Sequence, residues 1–447
     1  MFPAPLLTLK GFLSLAAGFC IPVLGMLASV RLEVLLFMLG LFLAGHLLFI
    51  AVDYLQTRAL LRGTRVLPGI RSRLHSGLKA EFTIVVNISG APRRTHLRFR
   101  PEVQEGIEAL DEIQELVVPR GDSAAVLGFH VRPTSRGPRV WRYADVRARA
   151  WHGLFVWQAQ ISFEPAFTAT VFPNDASSER RGLQAFQRHL SGELSVERRW
   201  SEGREFDSLR LYSHGDDLRK IDWKRSAKGR RLLYKVYRPE THQRINIAID
   251  CSRRMLNHVD HRMQIEFAAD GAAHLLKLAN HTEDEIGFFA FHTEVVRSIA
   301  CRRGNKQEQL IIDALTELEV SSFEPDYQLL SEWAAMNHRR SLLILITSIS
   351  NPVGVDAIAQ VLLPAKRRHL PLVFAIADQD LEQLILQRAG NLSDAYTIAA
   401  AMEQMEQIQL RIHQLRRAGV ECIYCSAARL QAAMRNKYLE LKSLGRL

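Results

Sequence analysis

The segment Ile245-Asn-Ile-Ala-Ile-Asp250 is an almost continuous apolar run that ends on a carboxylate, and it decides the fold of the C-terminal half. Residues 263–280 follow it with apolar positions at helical spacing. The other predicted elements alternate in the same way, with strands at 286–291, 341–347, 370–377 and 420–425 and helices at 306–319, 326–337, 354–367 and 398–417. Near-continuous hydrophobic strands between helices predict a mostly parallel sheet with helices on both faces. We therefore expect an α/β domain over residues 245–447.

Shorter alternating runs precede this domain, between residues 67 and 173. Four of them are typical of strands, at 81–89, 95–100, 124–131 and 167–172. Several short strands without a long helical repeat predict a β-rich, sandwich-like domain. Its aromatic residues either form a binding face or, as is commoner, fill the core; they are Trp141, Trp151, Phe155 and Trp157.

The N-terminal region, residues 1–56, holds two apolar runs at 11–30 and 34–52. Each is long enough to cross a hydrocarbon core as a helix, because a helix rises about 1.5 Å per residue. Arg31, Leu32 and Glu33 alone separate the runs, so the two helices are expected to form an antiparallel transmembrane hairpin. His46, a weakly polar residue in the second run, is expected to face the partner helix.

Basic residues indicate which side of the membrane holds the soluble part. The flank after the hairpin is rich in arginine, whereas the turn offers Arg31 alone; the flanking residues are Arg58, Arg62, Arg65, Arg71 and Arg73. This asymmetry predicts a multi-pass protein of the inner (cytoplasmic) membrane, with both termini and the soluble domains in the cytoplasm. A cleaved signal peptide is the alternative for the first run, but Lys10 alone supplies its charged region and a second span follows at once.

The overall composition of the chain excludes few classes of function. The net charge of +11 and a pI near 9.6 suit anionic lipid, nucleic acid or an acidic protein equally well. Five cysteines in 447 residues are few and odd in number, which argues against a disulfide framework and fits a reducing compartment. Cys422 and Cys425 lie three apart on a predicted strand and face opposite ways, so no metal or redox role is expected for them.

The connector at 174–244 contains the most informative segment, GREFDSLRLYSHGDDLRKIDWKRSAKGRRLLYKVYRPE at 203–240. Its charges form either a ligand surface or an ion-paired clasp, since arginine forks match carboxylates well. An enzymatic alternative also exists. Asp216, Asp217 and Asp222 with Lys224 could serve a metal-dependent nuclease or phosphoesterase, in which carboxylates hold Mg²⁺ and the lysine stabilises phosphate charge. The usual separation of such carboxylates on different strands is missing, which favours a structural or docking role.

The string Tyr212-x-x-Gly215-Asp216-Asp217-x-Arg219-x-Ile221-Asp222-Trp223-Lys224-x-x-Ala227, with Phe206-Asp207-Ser208-Leu209-Arg210 before it, closely resembles the signature of the domain-of-unknown-function family 58. The resemblance implies a paired transmembrane anchor, a β-rich domain, a von Willebrand factor A-like domain and association with MoxR-type AAA+ ATPases. Candidate protein-binding residues are those of the signature: Asp207, Arg210, Gly215, Asp216, Asp217, Arg219, Asp222, Trp223 and Lys224.

A second motif, Asp250-Cys-Ser252-Arg-Arg254, resembles the D-x-S-x-S metal-ion-dependent adhesion site of von Willebrand A domains. Arg254 replaces the second serine, and its guanidinium would supply positive charge where a divalent ion would sit. Ser348 stands where these domains often have an aspartate. We therefore expect weak Mg²⁺ binding or none at Asp250 and Ser252; the alternative is that these residues cap the following helix or pair with Arg254.

No Walker A, H-E-x-x-H or G-x-S-x-G pattern occurs in the sequence. The sequence and the resemblance together predict a non-enzymatic, membrane-anchored scaffold that works with a MoxR-type ATPase in maturing or remodelling other complexes. Membrane lipid is a further expected partner, other von Willebrand A-like or envelope proteins are candidates, and nucleic acid is not expected. A metal-bridged, adhesin-like receptor is another alternative.

Overall fold

The computed structural model describes residues 4–27, 31–69, 73–91, 94–102, 104–111, 113–149, 155–174, 205–214, 216–229, 231–238 and 243–444. The chain divides into two compact units, Met1–Phe172 and Pro173–Leu447. The first unit combines two N-terminal helices with a β-rich part. The second combines a small hairpin with a mixed α/β sheet.

Two helices open the first unit, α1 (Leu9–Leu27) and α2 (Leu32–Arg62). They run antiparallel, since Ser14 Oγ lies 3.1 Å from Nε2 of His46 and Gly18 packs against Phe42. A Cβ at position 18 would lie 2.0 Å from the Phe42 ring, so the close approach requires glycine. The prediction that His46 faces the partner helix is confirmed.

Helix α2 is, among the residues described, the helix that is long and apolar enough to cross a membrane. It continues to Arg62, past the predicted end at residue 52, because its last turns pack on the β-rich part. Leu60 and Leu61 join the β core, and the indole Nε1 of Trp157 donates a 2.5 Å hydrogen bond to buried Asp53. The same helix therefore has an apolar half and a half fixed to folded protein.

Within the described residues of the first unit, ten strands form its β-rich part: β1 (Ala4–Leu7), β2 (Thr64–Pro68), β3 (Leu74–His75), β4 (Ala80–Ala91), β5 (Thr95–Pro101), β6 (Ile107–Ala109), β7 (Gln114–Val118), β8 (Gly121–Pro133), β9 (Gly137–Arg149) and β10 (Phe155–Phe172). The hydrogen-bonded order is β6-β8-β4-β2-β10-β9-β5-β7, with β1 and β3 also paired to β10. All four strands predicted by alternation are present. The sandwich-like layering stays a prediction.

The core of this β-rich part is aromatic. The Phe82 ring stacks on Phe129 and Trp141 at centroid distances of 5.4 and 5.5 Å, and Phe167 packs on the same group. Aromatic pairs of this geometry contribute about 0.5–1.5 kcal/mol each beyond the area they bury. Trp141, Phe155 and Trp157 are all buried, so these residues fill core space, and Trp151 lies outside the described residues.

The second unit begins with an antiparallel hairpin of β11 (Glu205–Leu211) and β12 (Leu233–Arg238). Between the strands lie a 3₁₀ turn at Leu218–Lys220 and the short helix α3 (Trp223–Gly229). The hairpin holds the signature motif, whereas residues 175–204 of the predicted connector lie outside the described residues.

A six-stranded sheet follows, in the order β17-β16-β13-β18-β19-β20. Its strands are β13 (Arg244–Asp250), β16 (Glu285–Phe291), β17 (Val295–Arg302), β18 (Leu342–Ile349), β19 (Leu370–Ala377) and β20 (Glu421–Cys425), and a two-stranded ribbon pairs β14 (His258–Val259) with β15 (Arg262–Met263). All neighbours in the large sheet are parallel except β16 and β17. The predicted mostly parallel sheet is therefore confirmed, with an antiparallel edge strand added.

Helices cover both faces of this sheet. They are α4 (Gln264–His281), α5 (Asn305–Glu317), α6 (Tyr327–Met336), α7 (Pro352–Ala365), α8 (Gln379–Leu386), α9 (Leu392–Arg417) and α10 (Ala427–Ser443). Ile245, Ile247 and Ile249 share a core cluster with α4, α5 and α10, whereas Ala248 belongs to the cluster with α6, α7 and α9. Burying one such isoleucine stabilises the fold by about 1.5–3 kcal/mol, so apolar residues on both sides of β13 fix its central position.

Candidate functional site

The signature motif is built on the β11–β12 hairpin. Arg210 lies opposite Tyr234 and Leu211 opposite Leu233, and the register shifts between Phe206 and Ser208, where Asp207 is placed. The side chain of Asp207 and residue Gly215 lie outside the described residues. The remaining signature residues occupy the loop and short helix that the hairpin supports.

An arginine fork organises the loop after β11. The Arg210 guanidinium donates from Nη1 and Nη2 to the two oxygens of Asp216 at 2.7 and 2.6 Å, and it lies 4.5 Å from the centre of the Tyr234 ring. The amide of Ser213 donates to the same carboxylate. These hydrogen bonds hold the pKa of Asp216 below its ordinary value, and the bonds from Arg210 have the largest effect. Asp216 thus stabilises the conformation of this loop.

The other two carboxylates of the motif each lie at the start of a helical turn. Asp217 accepts from the amide of Arg219 at 3.0 Å and caps the 3₁₀ turn. Asp222 accepts from the amide of Arg225 at 3.1 Å at the start of α3. Such caps satisfy amides that a helix start leaves without intrahelical partners. Across the described part of the chain, no group of three His, Cys, Asp or Glu side chains is arranged to hold a metal ion.

With its acids used internally, the motif presents apolar and cationic side chains to solvent. Trp223 is 62% exposed and Leu218 is 61% exposed, while Ile221, which lies between them in sequence, is buried. Arg219 and Lys224 are exposed beside them. We call Leu218, Arg219, Trp223 and Lys224 the motif face. Exposed tryptophan and arginine side chains are residue types that protein interfaces favour.

A second polar cluster lies at the carboxyl ends of the neighbouring parallel strands β13 and β18. Asp250 is fully buried, and one of its oxygens accepts from the Ser252 amide at 2.9 Å. The other accepts from the hydroxyls of Thr347 at 2.6 Å and Tyr327 at 3.3 Å. Burial, which these hydrogen bonds only partly offset, raises the pKa of Asp250, and burial likewise raises that of Tyr327.

The arginine of this second motif has a different partner from the aspartate. Arg254 Nε donates to Glu324 at 3.0 Å, and Arg253 pairs with the same carboxylate. Burial tends to raise the pKa of Glu324, but the two guanidinium groups outweigh it and hold that pKa below its ordinary value. A Cβ at Gly354 would lie 2.7 Å from Arg254 Nη1, so this glycine at the start of α7 leaves room for the guanidinium. Ser252 and Ser348 are both buried nearby.

Sequence reasoning missed two of the groups that contact Asp250. Thr347 was visible as the first polar residue after an apolar run in β18, directly before Ser348. Tyr327 lies 77 residues from Asp250 in sequence and has no local pattern that would connect the two. The parallel register of β13 and β18 and the position of α6 bring them together.

The fold and the motif define a two-unit protein with a membrane-compatible apolar N-terminal helix and a mixed α/β region that follows a polar signature hairpin. Residues 208–418 match the family model described as "Protein of unknown function DUF58". The chain thus carries the DUF58 region, and the family resemblance given by the signature motif is confirmed.

Among solved structures, one that is similar is an aerotolerance-related membrane protein from Bacteroides fragilis NCTC 9343 with multiple mutations to serines. The identity is 12%, and the alignment covers 44% of this chain and 98% of that chain with a TM-score of 0.28. No curated protein matches the sequence. Similarity at this level carries no conclusion about activity.

Proposed function

We propose that this protein is a non-enzymatic, membrane-anchored binding protein that presents a von Willebrand factor A-like domain to the cytoplasm. In this proposal its DUF58 region docks onto a MoxR-type AAA+ ATPase, and the two mature or remodel other protein complexes. The ATPase supplies the energy, since the chain has no nucleotide-binding pattern of its own. The choice of partner comes from the family resemblance.

The observation that carries the proposal is the exposed Trp223 in a segment whose own hydrogen bonds involve Asp216, Asp217 and Asp222. The Arg210–Asp216 fork and the caps at Asp217 and Asp222 hold the hairpin without help from Trp223. Leaving a tryptophan 62% exposed forgoes about 1 kcal/mol or more of apolar burial, which a partner would recover. Tryptophan and arginine dominate the binding energy of protein interfaces.

Charge gives the motif face a preference among partners. Arg219 and Lys224 are exposed on either side of Trp223 in sequence, and Arg225 follows them. Complementary charge accelerates encounter and selects among partners more than it adds affinity. We propose that the docking surface on the ATPase is acidic around an apolar pocket.

Membrane anchoring is the second part of the proposal. Helices α1 and α2 run antiparallel, which supports two membrane crossings with both outer ends on one side. Arg58 and Arg62 at the end of α2 support a cytoplasmic location for that side. A reporter enzyme that works only in the periplasm can be fused after Leu447. We expect this fusion to be inactive, and reporter activity would contradict the proposed orientation.

The proposal assigns no metal or cofactor to the Asp250 cluster. Its carboxylate oxygens are engaged by Ser252, Thr347 and Tyr327, and Arg254 supplies the nearby positive charge. Titration calorimetry of the full-length protein with Mg²⁺ or Mn²⁺ checks this. A saturable heat that disappears in Asp250→Asn would contradict the assignment.

The docking test compares three forms of the full-length protein by cross-linking in cells and affinity recovery. We expect the wild type to recover a MoxR-type ATPase and Trp223→Ala to recover at least about tenfold less, as for a central interface tryptophan. Tyr396→Ala removes another exposed aromatic side chain, in α9, and is expected to recover as much ATPase as the wild type.

Two outcomes would contradict the proposal in different ways. If the wild type recovers no ATPase, the partner is wrong. If Trp223→Ala and Tyr396→Ala both recover the wild-type amount, a partner exists but the motif face does not bind it.

A further inference from the structure

A cavity of about 490 Å³ lies beside the start of α1, on the outer face of the β-rich part of the first unit. Strand β1 and the first residues of α1 form one wall, and strands β5, β7, β9 and β10 form the floor. Its charged lining residues are mostly cations: Lys10, Arg98, Arg147 and Arg149, against Glu115; Thr8 and His96 are further polar residues of the lining.

The sheet register places these cations together. Arg98 of β5 lies directly opposite Arg147 of β9, and Arg147 lies opposite Gln158 of β10. Side chains alternate between the faces of a strand, so Arg149 shares the outer face with Arg147, while Ala148 between them is buried. Like charges directly opposite each other on neighbouring strands are destabilising unless a counter-charge lies between them.

The cavity lining supplies a counter-charge for part of this set. Glu115 pairs with Arg98 at 2.6 Å. Arg147 donates from Nε to the neutral side chain of Gln158 at 3.1 Å, which leaves its charge uncompensated by that contact. Lys10 and Arg149 add two further charges. The cavity therefore has a surplus of positive charge suited to an anion with several oxygen acceptors, because guanidinium forks bind phosphate oxygens in pairs.

The rim of the same cavity is apolar. Leu6, Leu7 and Leu9 line it and are 44%, 46% and 75% exposed, and Val156 lies on the β10 side. Leu9 is also the first residue of α1. A free phosphate would gain nothing from leucines at the rim. A phospholipid would place its phosphate among the cations, and its glycerol and first methylenes against these leucines.

We propose that this cavity binds the phosphate headgroup of an anionic phospholipid of the cytoplasmic leaflet. The inference rests on the proposed membrane anchoring, because it requires α1 to enter the bilayer at Leu9. The bound lipid offsets the repulsion between Arg147, Arg149 and Lys10, and it adds a second attachment of the β-rich part to the membrane surface beside α1.

The test uses full-length protein in detergent with equal amounts of phosphatidylglycerol and phosphatidylcholine, and native mass spectrometry counts the lipids retained. We expect the wild type to retain phosphatidylglycerol preferentially and the double variant Arg147→Gln/Arg149→Gln to lose roughly tenfold or more of that preference, since each surface cation contributes about a factor of five. The control Arg132→Gln/Arg142→Gln removes the same charge at exposed positions that do not line the cavity, and it is expected to keep the preference.

Equal lipid preference in the wild type and the cavity variant would overturn the inference. A ³¹P NMR titration with inorganic phosphate separates the two sources of phosphate: saturable binding to the wild type with no preference for phosphatidylglycerol would assign the cavity to a soluble anion and reject the lipid. Carbonate extraction of membranes separates this result from the proposed anchoring. Wild-type protein that stays in the membrane pellet without lipid preference refutes the cavity assignment alone, whereas protein that is extracted refutes the anchoring.

Discussion

The signature hairpin and the Asp250 cluster contain the same residue types but arrange them differently. Both combine an aspartate, an arginine and a tyrosine: Asp216, Arg210 and Tyr234 in the hairpin, and Asp250, Arg254 and Tyr327 in the cluster. In the hairpin the Asp216 side chain is 7% exposed and is held by Arg210, which lies over the buried Tyr234 ring, while Trp223 faces solvent. In the cluster Asp250 is fully buried, and the aromatic Tyr327 faces inward and contacts it.

The pKa directions of the two aspartates summarise the difference. The charged form of Asp216 is stabilised by Arg210, so its pKa is lowered, whereas burial raises the pKa of Asp250 more than its hydrogen bonds lower it. A sequence motif rich in aspartate and arginine therefore does not by itself predict a site. Both carboxylates are largely removed from solvent, and the difference lies in the partner: an arginine holds Asp216, whereas an amide and two hydroxyls hold Asp250.

Of the changes at the two sites, breaking the buried cluster should have the largest effect. Asp250→Ala leaves the Ser252 amide and the Thr347 hydroxyl without their acceptor, and we expect the free energy of opening of β13 to fall by about 3 kcal/mol. Asp250→Asn keeps the shape, and the hydroxyls of Thr347 and Tyr327 can rotate to accept from its amide, so we expect a loss of about 1 kcal/mol. Hydrogen exchange of the β13 amides measures both, and a loss in Asp250→Ala no larger than in Asp250→Asn would show that the acceptor oxygens matter little.

The pH dependence should differ in sign between the two sites. The pKa of Asp250 is raised in the folded protein, so its stabilising contribution is complete below the ordinary value of 3.8 and is lost as the pH rises through the folded pKa. The pKa of Asp216 is lowered, so its contribution is present above 3.8 and is lost as the pH falls through the folded pKa.

Hydrogen exchange between about pH 3 and pH 7 checks these signs. The stability difference between the wild type and Asp250→Asn, followed at β13, should decrease as the pH rises. The difference between the wild type and Asp216→Asn, followed at β11 and β12, should increase over the same range. Slopes of equal sign at the two sites would remove the contrast between them.

The smallest effect is expected at Trp223. Because its ring is mostly exposed and alanine has a higher helix propensity, Trp223→Ala should change the free energy of unfolding by less than about 0.5 kcal/mol. Trp333 is the matched buried residue: it stacks on Phe289 at 4.6 Å, and its replacement by alanine should cost about 3–5 kcal/mol. Thermal unfolding followed by circular dichroism compares the two, and similar losses would mean that Trp223 holds the fold and does not serve a partner.

Much of the fold could be predicted from hydrophobic runs alone. The central strand at 245–250, the strands at 286–291 and 370–377 and the helix after residue 263 all appear where the apolar pattern indicates. Strands buried on both faces are continuously apolar, which makes them the clearest elements to recognise. The family signature was equally clear because its residues are specific and closely spaced.

Elements with one weakly apolar side were missed. Helix α10 at Ala427–Ser443 follows the last predicted strand, and its buried residues Leu430, Met434, Tyr438 and Leu441 have the spacing of one helical face, which is a recognisable sequence pattern. Strand β17 has mostly exposed side chains and pairs at the sheet edge, where neither face requires an apolar pattern. Its position follows from the hairpin with β16, which the sequence does not mark.

The contacts of the candidate sites were harder to predict than their locations. The three motif carboxylates are close in sequence, yet each takes a different partner, and the choice depends on where the chain turns. Arg254 lies four residues from Asp250 but pairs with Glu324, which is brought close by the chain between β17 and α6. Such pairings depend on tertiary structure, and a single sequence carries little information about them.

The unbroken course of α2 has a mechanical consequence. The same helix that is apolar enough to cross a membrane delivers Asp53 to Trp157 and Leu60 to the β core, with no loop between the two halves. A helix without proline or glycine at such a junction bends little. Any tilt of α2 in the bilayer would therefore turn the attached β strands by the same angle, because no hinge separates the two halves of the helix.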